Sequence, residues 1–166
     1  MLGGFDGLAC VHSVGRSGGI IVAWKKNLMD VNVVFSERQF LHLQCNADGL
    51  RSFFLTAVYA IPDNTQKNIL WSALRNLACS TFEPWVLMGD FNDDASSTER
   101  IRGVGACINK MTLFCDRIDQ CRLSDLGAVG SRFTWKGPRI GGGRRLYERL
   151  DRALANETFI LAFSDC

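Results

Sequence analysis

The chain has 166 residues, 19 basic and 17 acidic, for a formal net charge of +2. That length suits one domain, and a composition of 47% hydrophobic and 22% charged residues is that of a globular protein, which excludes a disordered tail. The longest apolar runs, Gly18–Trp24 and Phe53–Ile61, fall far short of the ~20 residues of a membrane-spanning helix. Residues 1–10 lack the charged start and long apolar core of a signal peptide, so neither secretion nor membrane insertion is expected.

Short strands are predicted at Leu8–His12, Gly19–Trp24, Val31–Phe35, Phe40–Cys45 and Phe53–Tyr59, all rich in Val, Ile and Phe and separated by turn formers. Phe40–Cys45 leans toward the alternation of a half-buried antiparallel strand. Phe53–Ile61 is almost continuously apolar, as a strand covered on both faces is. Over Asp63–Ala78 the spacing turns helical, with Ile69, Leu70, Ala73, Leu74 and Leu77 on one face and Asp63 or Asn64 as N-cap. Pro84–Met88 predicts a buried strand that ends in Gly89-Asp90-Phe91-Asn92, and Asp93–Ala106 a polar loop. Ile108–Cys121 predicts a second amphipathic helix with Met111, Phe114, Cys115 and Ile118 inward. A short piece at Leu123–Leu126, a strand at Arg132–Lys136, a Gly-rich basic loop and a last helical turn or two over Leu150–Phe159 complete the chain. Strands first, then strand–helix–strand units, give a mixed, layered α/β domain, in which sites collect in the loops at strand ends.

Seven scattered cysteines with no CxxC pair predict reduced, mostly buried thiols rather than a disulfide framework or a zinc site, and hence a nuclear or cytoplasmic protein. Charge is unevenly spread. Residues 1–99 carry seven basic and ten acidic side chains, and residues 100–166 carry twelve and seven. Arg132–Arg152 alone holds seven basic residues, a stripe dense enough to face phosphates or to be a solvated loop.

The sharpest chemical feature is Gly89-Asp90-Phe91-Asn92. A strand end there places a carboxylate and an amide two residues apart, both able to project toward one cleft. The Asp can bind a hard cation or orient a water, and the amide offers a donor and an acceptor to a phosphate. The same residues also suit a strand-ending Asx turn, and the spacing alone leaves both readings open. Tyr59 likewise suits a core aromatic, and Asp151, between Arg149 and Arg152, a surface ion pair. Phe133 and Trp135 read as core residues, and His12 and His42 as ordinary strand residues.

In order, the strand Leu55–Pro62, Gly89-Asp90-Phe91-Asn92, Leu123-Ser124-Asp125-Leu126-Gly127, Phe133-Thr134-Trp135, Glu148-Arg149-Leu150-Asp151-Arg152 and Phe163-Ser164-Asp165 resemble the endonuclease/exonuclease/phosphatase superfamily. Within it they are most similar to the endonuclease domains of plant LINE-type retrotransposons, from about Gly18 to Asp165. The resemblance implies a single domain with the layered α/β sandwich of DNase I, Mg²⁺-dependent hydrolysis of DNA phosphodiesters, and fusion to a reverse transcriptase in the parent element. By its motifs, Asp90 orients or deprotonates the attacking water, Asn92 holds the phosphate and that Asp, and Tyr59 contacts the scissile phosphate. Asp151 supports the metal site, and Asp165 is the Asp of a terminal Ser-Asp-His. Arg139, Arg144, Arg145 and Arg149 would meet DNA, from a loop whose glycines 141–143 keep it pliable. The family's opening strands carry an Asn and a metal-binding Glu that no residue here matches, and Cys166 stands where the family has His. The resemblance therefore implies a fold without its first strands, weak or absent Mg²⁺ binding, and impaired catalysis. Two alternatives stand beside it: a catalytically dead nucleic-acid-binding remnant, and a gene fragment that seldom folds stably.

Overall fold

A computed structural model describes residues 4–15, 18–101, 107–140 and 144–164. Its centre is a six-stranded sheet in the order β3 (Asp30–Glu37), β4 (Phe40–Asn46), β5 (Phe53–Tyr59), β6 (Trp85–Asp90), β11 (Asp151–Asn156), β8 (Leu123–Asp125). Every pairing is antiparallel except β5 with β6. That parallel step needs a crossover, which α1 (Asn64–Ser80) supplies from Asp63, whose carboxylate caps the helix by accepting from Gln66 N–H at 3.0 Å.

Alternation along the strands sorts the side chains to two faces. Phe40, Val58, Trp85, Leu87 and Leu154 face α1 and α2 (Ile108–Gln120), where they pack with Leu70, Trp71, Leu74, Phe114 and Ile118. On the other face Leu41, Leu43 and Cys45 pack under the hairpin of β1 (Gly7–Val11) and β2 (Ile20–Trp24), with Ile20, Val11 and Val22. This second layer lies over β3, β4 and β5. Beyond it, on β6, Met88 is 51% exposed. A smaller sheet of β7 (Arg100–Ile101), β10 (Arg144–Glu148) and β9 (Trp135–Ile140) stands at the end of the main sheet.

The layered α/β architecture agrees with the sequence-based expectation, and the early strands and both long helices sit within a few residues of it. Four elements differ. The predicted polar loop 93–106 contains a one-turn 3₁₀ helix at Ser97–Glu99 and the short strand β7. The strand expected at Arg132–Lys136 begins only at Trp135 and pairs with β10, so much of the basic loop is a hairpin. Leu150–Phe159 is not helical at its start: β11 runs through Asp151–Asn156, and α3 begins at Glu157 and ends at Ala162. Trp135 is not a core residue but 39% exposed. The described cysteines are free, but Cys10, Cys79 and Cys107 are exposed while Cys45 and Cys121 are buried; burial pushes those two thiols up to about 11 and about 12.

Candidate active site

Local chemistry explains why the chain turns where it does after β6. Gly89 has φ +143, and a Cβ there would lie 2.0 Å from the Val58 carbonyl oxygen, so the β5–β6 approach requires glycine. Phe91 is fully buried among Trp71 and Phe114 and anchors the turn in the core. Asn92 sits at φ +49, the left-handed region that Asn tolerates better than most residues. The Asp90 carboxylate Oδ1 accepts the Asn92 N–H at 2.9 Å, and Asn92 Nδ2 donates to the Ala60 carbonyl at 2.8 Å. The strand-ending Asx turn therefore forms, and the Asn92 side-chain amide is turned to the Ala60 carbonyl.

Register brings further groups alongside. Tyr59 is the parallel partner of Asp90, and Asp151 its antiparallel partner. Paired residues point to the same face, and neighbouring strands are ~4.8 Å apart. Tyr59, Asp90 and Asp151 therefore stand in a row about 10 Å long at the ends of β5, β6 and β11. Asp151 is exposed, and its backbone N–H donates to Thr134 Oγ1 at 3.0 Å, as does that of Leu150. Burial pushes the Asp90 carboxyl above its ordinary range, against the Asn92 hydrogen bond; Asp151 raises it further and Lys67 lowers it.

Asn92 and Tyr59 line two different hollows, and neither Asp90 nor Asp151 lines either of them. Asn92 lines a cleft of about 390 Å³ together with Asn64, Lys67, Asp93, Asp94, Arg100, Lys110 and Glu148. Tyr59 lines a cavity of about 40 Å³ with His12, Gly18 and Arg38.

A buried ionic cluster holds the loop that follows Asn92. Arg152 donates through Nη1 to Glu99 Oε1 at 2.9 Å and Asp125 Oδ2 at 2.8 Å, through Nη2 to Glu99 Oε2, and reaches the Asp93 carbonyl at 3.3 Å. Arg149 donates to Glu99 Oε1 at 3.0 Å and Asp125 Oδ1 at 2.7 Å. Burial works to raise both carboxyls, but these guanidiniums hold Glu99 and Asp125 below their ordinary values. Arg149, expected on DNA, is therefore already committed to two carboxylates, and Arg152 points inward as well. The basic stripe is surface only in part. Arg139 is exposed and Arg145 half-buried, directly opposite one another across the hairpin. The Arg144 side chain and Asp165 lie outside the described residues, as do glycines 141–143.

Sequence reasoning missed Lys67, Glu99, Arg152 and Thr134. Thr134, inside the Phe-Thr-Trp motif, and Arg152, inside Arg-Leu-Asp-Arg, lay within motifs already singled out; Lys67 and Glu99 carried no signal of their own.

Magnesium is the metal the resemblance implies. Among the described residues no group of three or more His, Cys, Asp or Glu gathers for a metal, but Mg²⁺ is commonly held by one or two carboxylates with waters. Asp151, exposed beside Asp90 and raising the cost of the Asp90 charge, suits such an ion, which would relieve that repulsion.

The whole sequence, residues 2–166, matches the model of the Endonuclease/Exonuclease/phosphatase family. The chain belongs to this family. Solved structures agree at the level of fold. The endonuclease domain of TRAS1, a telomere-specific non-LTR retrotransposon, superposes with TM-score 0.67 at 16% identity, covering 92% of this chain and 68% of that one. An endonuclease/exonuclease/phosphatase family protein from Leptotrichia buccalis gives 0.57 at 16% identity, covering 91% and 60%. ANGEL2, a 2′,3′-cyclic phosphatase, gives 0.53 at 14%, covering 92% and 63%. The chain thus spans roughly two thirds or less of the structures it resembles. No curated protein sequence matches it significantly. No helix among the described residues is long and apolar enough to cross a membrane.

Proposed function

We propose that this endonuclease/exonuclease/phosphatase domain is a Mg²⁺-dependent endonuclease of plant LINE-type retrotransposon descent that hydrolyses phosphodiester bonds in DNA. The observation that carries this reading is the row Tyr59–Asp90–Asp151 across three adjacent strand ends, with Asn92 turned beside it. Hydrolysis needs a positioned water, a receiver for its proton, and donors for charge building on the phosphate oxygens. Asp90 is the receiver: burial and the neighbouring Asp151 make its carboxylate a stronger base than a solvated one. As the water oxygen bonds to phosphorus its proton passes to Asp90, and the bond to the leaving oxygen breaks. The Tyr59 hydroxyl and the second Nδ2 hydrogen of Asn92 donate to phosphate oxygens. Asp151, beside Asp90, would hold Mg²⁺ with waters, and the ion when bound would neutralise phosphate charge.

DNA as partner is supported by Arg139 and Arg145. Like charges directly opposite across a hairpin repel, and a phosphate between them turns that cost into attraction. LINE-type descent would set the domain beside a reverse transcriptase and place its action in the nucleus or cytoplasm. The same arginine pair favours a second reading, a DNA-binding domain that does not cleave.

Nicking of supercoiled plasmid in Mg²⁺ tests the proposal. Asp90→Ala and Asn92→Ala are expected to lose ~100-fold or more in rate, the range of a removed acid–base group. Equal cleavage by all three proteins would overturn the hydrolytic reading, and salt-dependent binding without nicking would establish the second.

A further inference from the structure

Lys67 is a buried cation that the proposed chemistry does not use. It lies in α1, on the helical side of the sheet, with its side chain only 4% exposed. An ammonium so far from water persists only where it is paired and hydrogen-bonded. Its Nζ donates to the Asn92 carbonyl at 2.6 Å and to Asp93 Oδ1 at 2.7 Å.

The first of these acceptors is the informative one. A buried ammonium needs acceptors beyond one carboxylate oxygen, and the main-chain oxygen this one takes belongs to the residue held in the left-handed conformation. Asn92 is then fixed at three points from three elements: its N–H on Asp90 of β6, its Nδ2 on the carbonyl of Ala60 after β5, and its C=O on Lys67 of α1. Return of Asn92 to a negative φ turns its Cβ and its carbonyl carbon together about the N–Cα bond, so it breaks the Nδ2 and C=O contacts alike and strains the N–H held by Asp90. The Lys67 contact is the one that also fixes ψ, and with the other two it holds the backbone out of the common right-handed and extended regions.

We propose that Lys67 is a positioning residue of this site, its ammonium pinning the left-handed Asn92 backbone so that the Asn92 amide is presented to the substrate phosphate. The catalytic part of this inference rests on the endonuclease reading above; the structural part does not. Lys67 acts through Asn92 and does not touch substrate, so its loss affects turnover more than binding, the latter being carried by the hairpin arginines.

The test compares the full chain with Lys67→Met and with Lys67→Met/Asp93→Asn, the second removing the carboxylate that the first leaves with only the Arg117 guanidinium at 3.9 Å. In plasmid nicking both variants lose ~10- to 100-fold in kcat, the range found when a supporting partner of a site residue is removed, with KM nearly unchanged. Wild-type kcat in the double variant would overturn the proposal, since Lys67 would then serve only to balance Asp93. Amide exchange of Asn92, followed by NMR in the same proteins, provides the arm independent of activity. The N–H held by Asp90 is protected in the wild type and loses at least ~10-fold of that protection in both variants, a change of about 1.4 kcal/mol in opening free energy. Unchanged protection in the double variant would also overturn it. Should the wild type nick no better than Asp90→Ala, the endonuclease reading fails while the exchange measurement still decides the role of Lys67.

Discussion

Arg152→Met removes the centre of the ionic cluster beneath the site. The Arg152 side chain is 0% exposed. Its guanidinium serves Glu99, Asp125 and the carbonyls of Asp93 and Arg149, and lies 5.1 Å over the Phe114 ring. Taking one partner from a buried pair costs ~3–5 kcal/mol, because the other charge is left without compensation. Glu99 retains some: Arg149 Nη1 at 3.0 Å, and the N–H groups of Ala95 at 2.6 Å and Ser96 at 3.3 Å. The loss therefore belongs at the low end, ~3 kcal/mol, a large share of the 5–15 kcal/mol of a typical domain. Urea unfolding followed by tryptophan fluorescence measures it, and in a thermal melt the same loss lowers Tm by ~6–12 °C. Arg152→Met/Glu99→Gln, which also removes the stranded carboxylate, recovers part of the difference, so the cycle shows a coupling above ~1 kcal/mol. A single-variant cost under ~1 kcal/mol, the range of solvated surface pairs, would refute the reasoning. Nicking by Arg152→Met falls as well, since Arg152 Nη2 also holds the Asp93 carbonyl directly after Asn92.

Two further predictions concern other parts of the molecule. His42 is buried, stacked on Phe54 at 4.9 Å, with Nδ1 2.8 Å from the Thr56 hydroxyl, and burial lowers it from 6.5 to about 4; because the folded value is the lower one, the stabilisation is complete above pH 6.5 and is lost as pH falls toward about 4. That interval amounts to roughly 3 kcal/mol, read as the change with pH in the stability difference between wild type and His42→Phe, and a pH-independent difference would refute it. Arg139→Gln/Arg145→Gln reduces the slope of log K for DNA against log salt by ~0.9, the share of the one phosphate seated between them, without destabilising the hairpin, since the opposed like charges vanish; an unchanged slope removes these residues from the DNA interface.

Where local pattern and tertiary environment agree, the fold is legible from the chain itself. Phe53–Tyr59 and Asn64–Ser80 announce a buried strand and an amphipathic helix because their apolar periodicity is set by the surfaces they meet. Leu150–Phe159 misleads for the opposite reason. Leu150 and Leu154 are spaced as on a helix, and Arg152 between them looks like the exposed face. In the structure Arg152 and Leu154 share the inward face of β11, and the charge is tolerated there only because Glu99, about fifty residues upstream, and Asp125 converge on it. No window of local sequence contains that partnership.

The site divides along the same line. Asp90 and Asn92 could be picked out as a carboxylate and an amide where an apolar strand ends, a pattern an Asx turn also explains, whereas Tyr59 and Asp151 could be singled out only by the motifs of the resemblance. Lys67, Glu99 and Arg152 could not, because a charged residue within a helix or loop reads by default as solvated. Yet all three charges converge on the peptide that follows β6: Lys67 on the carbonyl of Asn92, Arg152 on that of Asp93, and Glu99 on the N–H groups of Ala95 and Ser96. A left-handed residue is costly to maintain, so the groups that maintain it lie inside, ion-paired, and distant in the chain. The residues of the proposed site are therefore readable from local motifs, whereas those that hold Asn92 and its loop in place become readable only once the chain has folded.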